Sequence, residues 1–179
     1  RDYERFRSYL ASPWRIVRRE THVRRFLIAN TAWEAAFAGM RTFVVLYIIE
    51  GLNQPLYVSS TVLAVVAGGY VVAALAAGPL GDRFGLSRVI LGASIVYGVG
   101  LSLAVLAHQW HWWYYGLIAP VAVAGGTVMT LSWGLLFKLM PPGERGAIAG
   151  LAIMTKGVGL LIGPLAVGFM GDEIGLEAT

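Results

Sequence analysis

Five stretches of mainly apolar sequence follow one another along this chain, at about 26–49, 58–80, 88–106, 114–139 and 147–170. A bilayer's hydrocarbon core, about 30 Å thick, is crossed by roughly 20 such residues in a helix. The segments between them, near 51–55, 81–85, 108–111 and 141–146, are short, and all but the His-Gln-Trp-His of 108–111 carry Gly, Pro, Asn or Asp of turns. Strands do not fit, because the runs are too long and do not alternate with period two. Charged residues make up 13% of the chain and apolar ones 57%, with a mean hydropathy of +0.66. Soluble domains carry about 25% charged residues, so this chain cannot cover a water-facing surface, and it is too apolar to remain disordered. The fold class is therefore an all-α membrane protein, a polytopic bundle of five transmembrane helices over 26–179, preceded by a polar leader at 1–25. Cysteine is absent, which removes disulfides, thiol nucleophiles and Cys-based metal sites.

The net charge of +4 is a statement about topology. Eight arginines precede the first span, Arg83 and Arg88 flank the second turn, and Lys138 and Arg145 flank the fourth, so twelve of the 14 basic residues lie on one side. The positive-inside rule places that side, with the amino end, in the cytoplasm of the inner membrane and the carboxyl end outside. Nucleic-acid binding is not needed to explain the charge. In the leader, Phe6, Leu10, Trp14 and Val17 recur at helical spacing among arginines, with Ser12-Pro13 as a helix start. This is the pattern of a helix lying on an anionic surface; a flexible basic linker is the alternative. Trp110, Trp112, Trp113, Tyr114 and Tyr115 crowd the outer end of the fourth span, as in a membrane-interface belt.

The stretch Gly78-Pro79-Leu80-Gly81-Asp82-Arg83-Phe84-Gly85 joins two spans on the cytoplasmic side. It resembles the signature loop of the major facilitator superfamily at Gly78, Leu80, Asp82, Arg83 and Gly85. It departs from that pattern afterwards, where Leu86-Ser87 replace the usual basic pair. The turn at 141–146 is similar to the loop this family places before its fifth helix. Within the last span, Gly159, Gly163, Pro164 and Gly168 resemble the family's antiporter motif, with imperfect spacing. The resemblance implies two six-helix halves around a central cavity, alternating access, and a conformational switch loop at Gly78, Asp82, Arg83 and Gly85. Five helices then correspond to one half without its last span. The absent initiating Met, the basic leader and the weakened signature point to the carboxyl-terminal half. A Gly-Pro-Leu followed by Gly-Asp near the ends of both the second and fifth spans also fits an inverted three-helix repeat.

Charges inside a bilayer are costly and need a reason, and three stand within spans: Glu34, Arg41 and Lys156. Glu34 and Arg41 are seven residues apart, on one face and about 10 Å apart along the axis. Lys156 lies about 14 Å from the cytoplasmic end of its span, a depth similar to that of Glu34, so an ion pair between helices is geometrically accessible. Glu34 is the candidate proton carrier, since apolar surroundings favour its neutral form and a nearby cation its charged form. Arg41, permanently charged, would anchor an anionic group or pair with Glu34; a purely structural ion pair is the alternative. Asn30, Trp33 and Phe37 lie near the Glu34 face. In the family picture the first and fourth helices line the cavity, adding Met129 and Trp133. Glycines at Gly68-Gly69, Gly125-Gly126 and Gly157, Gly159, Gly163 are read as close-packing surfaces, and Pro120 and Pro164 as kinks.

No Ser–His–Asp set, His-Glu-x-x-His motif, Asp-rich metal pair or phosphate-binding loop is present, so an enzyme, a cofactor or an ATP-driven pump is not indicated. The function read from the sequence is secondary active transport, as proton-coupled efflux of an amphipathic or drug-like small molecule. Uptake by the same family is the runner-up, ahead of an intramembrane enzyme or a non-transporting scaffold. The partners are a small-molecule substrate, protons, the bilayer and the missing other half, without nucleic acid.

Overall fold

The computed structural model describes residues 15, 17–106, 109–141 and 143–174. Among them the regular structure is helical throughout, without strands. Helix α1 runs over Thr21–Leu46 and passes into a π-helical turn at Tyr47–Gly51; α2 covers Leu56–Phe84, α3 Leu86–Val105, α4 Tyr114–Leu139 and α5 Arg145–Ile174. All five are long and apolar enough to cross a membrane, which agrees with the bundle expected from the sequence. Their outward-facing residues suit that solvent: Leu75, Leu161 and Leu165 are each about 70% exposed or more, a loss in water but not beside lipid tails.

The fourth helix begins and ends where the sequence places it. The first starts at Thr21, ahead of the expected 26, so Arg24 and Arg25 belong to its first turns. A helix satisfies its backbone hydrogen bonds internally and can project beyond the hydrocarbon with arginines on its surface. Phe6, Leu10, Trp14 and the Ser12-Pro13 start lie outside the described residues, so the interfacial reading of the leader stays an expectation.

The second turn is the clearest correction. Residues 81–85 do not form a loop: α2 continues through Phe84, Gly85 alone separates it from α3, and its φ of 88° is left-handed backbone that favours glycine. Both polar groups of that joint are used, Gly85 N–H donating to Gly81 O at 3.0 Å and Gly85 O accepting from Val89 N–H at 3.1 Å. Pro79, Pro120 and Pro164 all sit inside helices without ending them. At the first outer turn, Leu52 N–H reaches Tyr47 O at 2.9 Å, the five-residue closure of a π turn.

The chain divides into two compact units, Arg1–Met40 with Leu136–Glu173, and Arg41–Leu135 with Ile174–Thr179. In the first, α5 and the opening part of α1 bury Val23, Phe26, Leu27, Phe37, Ile148 and Ala152. In the second, Ile48, Val58 and Val62 form a cluster with Val44, Val66, Trp110, Tyr115 and Ile118. Glycines bring its helices together: a methyl group at Gly69 would meet Ala122, one at Gly126 would meet Ala73 and Tyr70, and one at Gly100 would meet Val121. Gly68, expected to pack like its neighbour, faces open space.

Candidate functional site

In the first unit, two helices hold the polar groups, and glycines set their spacing. A Cβ at Gly159 would stand 2.7 Å from Thr31 O and 2.8 Å from Glu34 Cβ; at Gly163 it would collide with the Ala35 carbonyl, and at Gly39 it would stand 2.7 Å from Val167 Cγ2. Backbones this close are what small residues allow between membrane helices. Along the seam so formed, side chains at i and i+4 share a face. Asn30 and Glu34 of α1 therefore look the same way, as do Ala152, Lys156, Gly159 and Gly163 of α5.

Lys156 Nζ lies 3.2 Å from Glu34 Oε1, with the lysine side chain 38% exposed and the glutamate 12%. One turn away, Asn30 Nδ2 donates to Ala152 O and to Thr155 Oγ1, both at 3.2 Å, and Thr155 Oγ1 donates to Ala152 O at 2.9 Å. The carboxylate is thus the enclosed partner and the ammonium the open one. Each polar atom named here has a partner, as a buried polar group requires.

The structure places the remaining expected residues as follows. Asn30 and Phe37, read as lining a cavity, are buried, and Asn30 spends its amide on α5. Trp33 is half-buried, its ring edge-on to Phe26 with centroids 6.1 Å apart. Pro164 and Gly168 are half-buried on α5. Glu34 is engaged by Lys156, and Arg41 turns to α4 within the second unit, its Nη2 3.7 Å from Met129 Sδ. Among the described residues of that unit, no carboxylate lies within ion-pair distance of Arg41. Trp133 is exposed. Gly78, Asp82, Arg83 and Gly85 are exposed, with the Arg83 guanidinium 5.3 Å from the Phe84 ring centroid. Among the described residues no group of three or more His, Cys, Asp and Glu could hold a metal.

Sequence reasoning missed Gly39, Tyr70 and Tyr97. Tyr97 is 7% exposed on α3 and lies within electrostatic reach of Tyr70 and Arg41. Its signal was the spacing of Ile90, Ser94 and Tyr97 at i, i+4 and i+7, where Ile90 and Tyr97 are buried and Ser94 half-buried on a largely exposed helix.

The sequence model of the Major Facilitator Superfamily matches residues 27–179. Among curated proteins, an MFS-type transporter of Mycobacterium tuberculosis, Rv1877, is 30% identical over 127 residues, 71% of this chain and 18% of its own. Multidrug resistance protein 3 of Bacillus subtilis is 28% identical over 116 residues, 61% of this chain and 22% of its own. The probable glucose transporter rco-3 of Neurospora crassa is 30% identical over 125 residues, 66% of this chain and 20% of its own. The chain thus spans about a fifth of the length of these relatives. No solved structure matches it significantly.

Proposed function

The chain belongs to the Major Facilitator Superfamily, and we propose that it forms part of a secondary active transporter that moves an amphipathic small molecule outward in exchange for protons. The family and its transporter-named relatives set aside the intramembrane enzyme. The reading includes a partner, the rest of a two-half transporter, and a setting, the inner membrane with the amino end in the cytoplasm.

One observation carries the coupling: the Glu34–Lys156 pair at 3.2 Å on the glycine-packed seam. With Glu34 ionised, the pair draws α1 and α5 together. When Glu34 takes a proton its charge is cancelled, Lys156 loses its counterion, and the attraction across the seam falls. A proton taken from one side and released to the other would thereby bias the two access states. The position of Glu34, its side chain 12% exposed at the closely packed seam, supports this role. Asn30 and Thr155 hold the helices in register while the charge pair changes.

The outward direction rests on the resemblance of Gly159, Gly163 and Pro164 to the antiporter motif and on the similarity to the Bacillus multidrug protein. Uptake is the second reading, favoured by the similarity to the Neurospora glucose transporter. The test is flux of the full-length protein in liposomes under an imposed pH gradient. Glu34→Gln should abolish gradient-driven accumulation while leaving counterflow exchange intact, and unchanged gradient-driven flux would remove Glu34 from the coupling. The sign of the gradient that drives accumulation decides between efflux and uptake.

A further inference from the structure

Of the three charges set within the spans, Glu34 and Lys156 neutralise each other. Arg41 is left with a thioether, which is no counterion. Its guanidinium is exposed in the second unit, with Met129 Sδ at 3.7 Å. Arginine stays charged in any surroundings and presents five donors and no acceptor. A guanidinium held at that depth is a standing demand for an anion.

The groups around it make the same demand. Tyr97 is buried on α3 and lies within electrostatic reach of both Arg41 and Tyr70. Tyr70, on α2, packs against α4 where Gly126 lets the helices approach, one turn from Met129. On the Tyr97 stripe, Ser94 Oγ is buried with no hydrogen-bond partner among the described residues. Four helices thus bring one guanidinium, two phenols and a thioether to one region, with an unpartnered hydroxyl close along α3. Within the unit the described carboxylates, Glu50 and Asp82, lie outside ion-pair range of Arg41. A cationic ligand would find no counterion here. An anion would find a planar fork able to grip two oxygens at once, in a region that also holds two phenol rings.

We infer that Arg41, with Tyr97 and Tyr70, forms an anion site, and that it takes the carboxylate, sulfonate or phosphate end of an amphipathic substrate. The polarizable Met129 side chain, which adapts to varied shapes, would lie against the apolar part next to that end. The inference deepens the transport reading, on which it rests for the existence of a substrate. It separates two tasks: proton exchange at Glu34 in one unit, and substrate charge recognition at Arg41 in the other.

The test is equilibrium dialysis of the full-length protein in lipid nanodiscs against naphthaleneacetate and naphthaleneacetamide, two probes with one apolar body and different end charges. The anion should bind about tenfold tighter or more than the amide, as expected for charge-assisted, two-pronged recognition. Arg41→Gln should erase the preference. Arg41→Lys, which keeps the charge and guards against a misfolded Gln variant, should leave part of it. Tyr97→Phe should weaken anion binding by about two- to tenfold, the worth of one hydrogen bond, with the amide unaffected. Equal binding of the two probes by the unaltered protein overturns the inference. So does an anion preference that survives in Arg41→Gln, the result expected if a carboxylate elsewhere in the protein satisfies Arg41. The two readings fail separately: equal binding of the probes by the unaltered protein, with coupling lost in Glu34→Gln, sinks the anion site alone, whereas an Arg41-dependent preference with coupling unaltered in Glu34→Gln sinks the role of Glu34 alone.

Discussion

The two units handle charge in opposite ways. In the first, the polar atoms of the α1–α5 seam are consumed: Glu34 by Lys156, and Asn30 by Ala152 and Thr155. The helices are drawn so close that glycine is the only side chain that fits at Gly159 and Gly163. In the second, glycine contacts are as tight, and among the described residues Arg41 has no carboxylate within ion-pair distance and the buried Ser94 hydroxyl no hydrogen-bond partner. Similar packing therefore supports a closed polar seam in one place and an unsatisfied one in the other. A satisfied seam has little to offer a ligand until something breaks it, whereas an unsatisfied seam is already shaped for one.

The sharpest way to break this contrast is steric. Gly163→Ala must displace the Ala35 backbone, an overpacking that costs about 1–3 kcal/mol or more, so the thermal midpoint of the purified protein should fall by several degrees. Gly157→Ala on the same helix, where the added methyl meets open space, should hold or slightly raise it, because alanine favours helix by about 1 kcal/mol. Equal effects from the two would mean that the α1–α5 approach does not constrain the protein.

Next in size comes the charge pair. Glu34→Gln and Lys156→Met, alone and combined, form a double-mutant cycle read by unfolding in denaturant. We expect a coupling of about 0.5–3 kcal/mol, with the double variant less damaged than the sum of the singles. A coupling near zero would reduce the pair to a coincidence of geometry. Asn30→Ala should cost less, about 0.6 kcal/mol, the average for a hydrogen bond between membrane helices.

The smallest effects belong to the second unit. Arg41→Gln should leave unfolding within about 0.5 kcal/mol of the unaltered protein, since it removes no ion pair described there. The same substitution is the one expected to erase anion preference. A large loss of stability would show that Arg41 is already satisfied and would dissolve the contrast between the units.

Much of this was legible in the sequence because a bilayer imposes a length on every span. The fourth helix could be bounded at both ends, since the Trp110–Tyr115 belt and Lys138 with Pro141 mark its two interfaces. The start of the first was missed because Arg24 and Arg25 look like the end of an apolar run, although a helix continues through them. Asp82 and Arg83 were read as a loop for the same reason: polarity marks where the hydrocarbon ends, and the helix ends later, at Gly85. Depth alone made a Glu34–Lys156 pair accessible. It could not decide between Lys156 and Arg41 as partner, because that depends on how α1 is rotated and on glycine contacts with α5. Tyr97 did not stand out in the sequence, since a lone tyrosine in an apolar helix reads as core. The Asn30 amide donates to α5, a pairing the sequence alone does not reveal, because a buried amide can serve a neighbouring helix as well as a substrate.

The joint at Gly85 has a mechanical meaning. With one residue between α2 and α3, and peptide planes rigid, the relative direction of two helices of 29 and 20 residues is set by little more than one φ and one ψ. Any change in the angle between the two arms is therefore concentrated at Gly85, the residue whose backbone is least restricted.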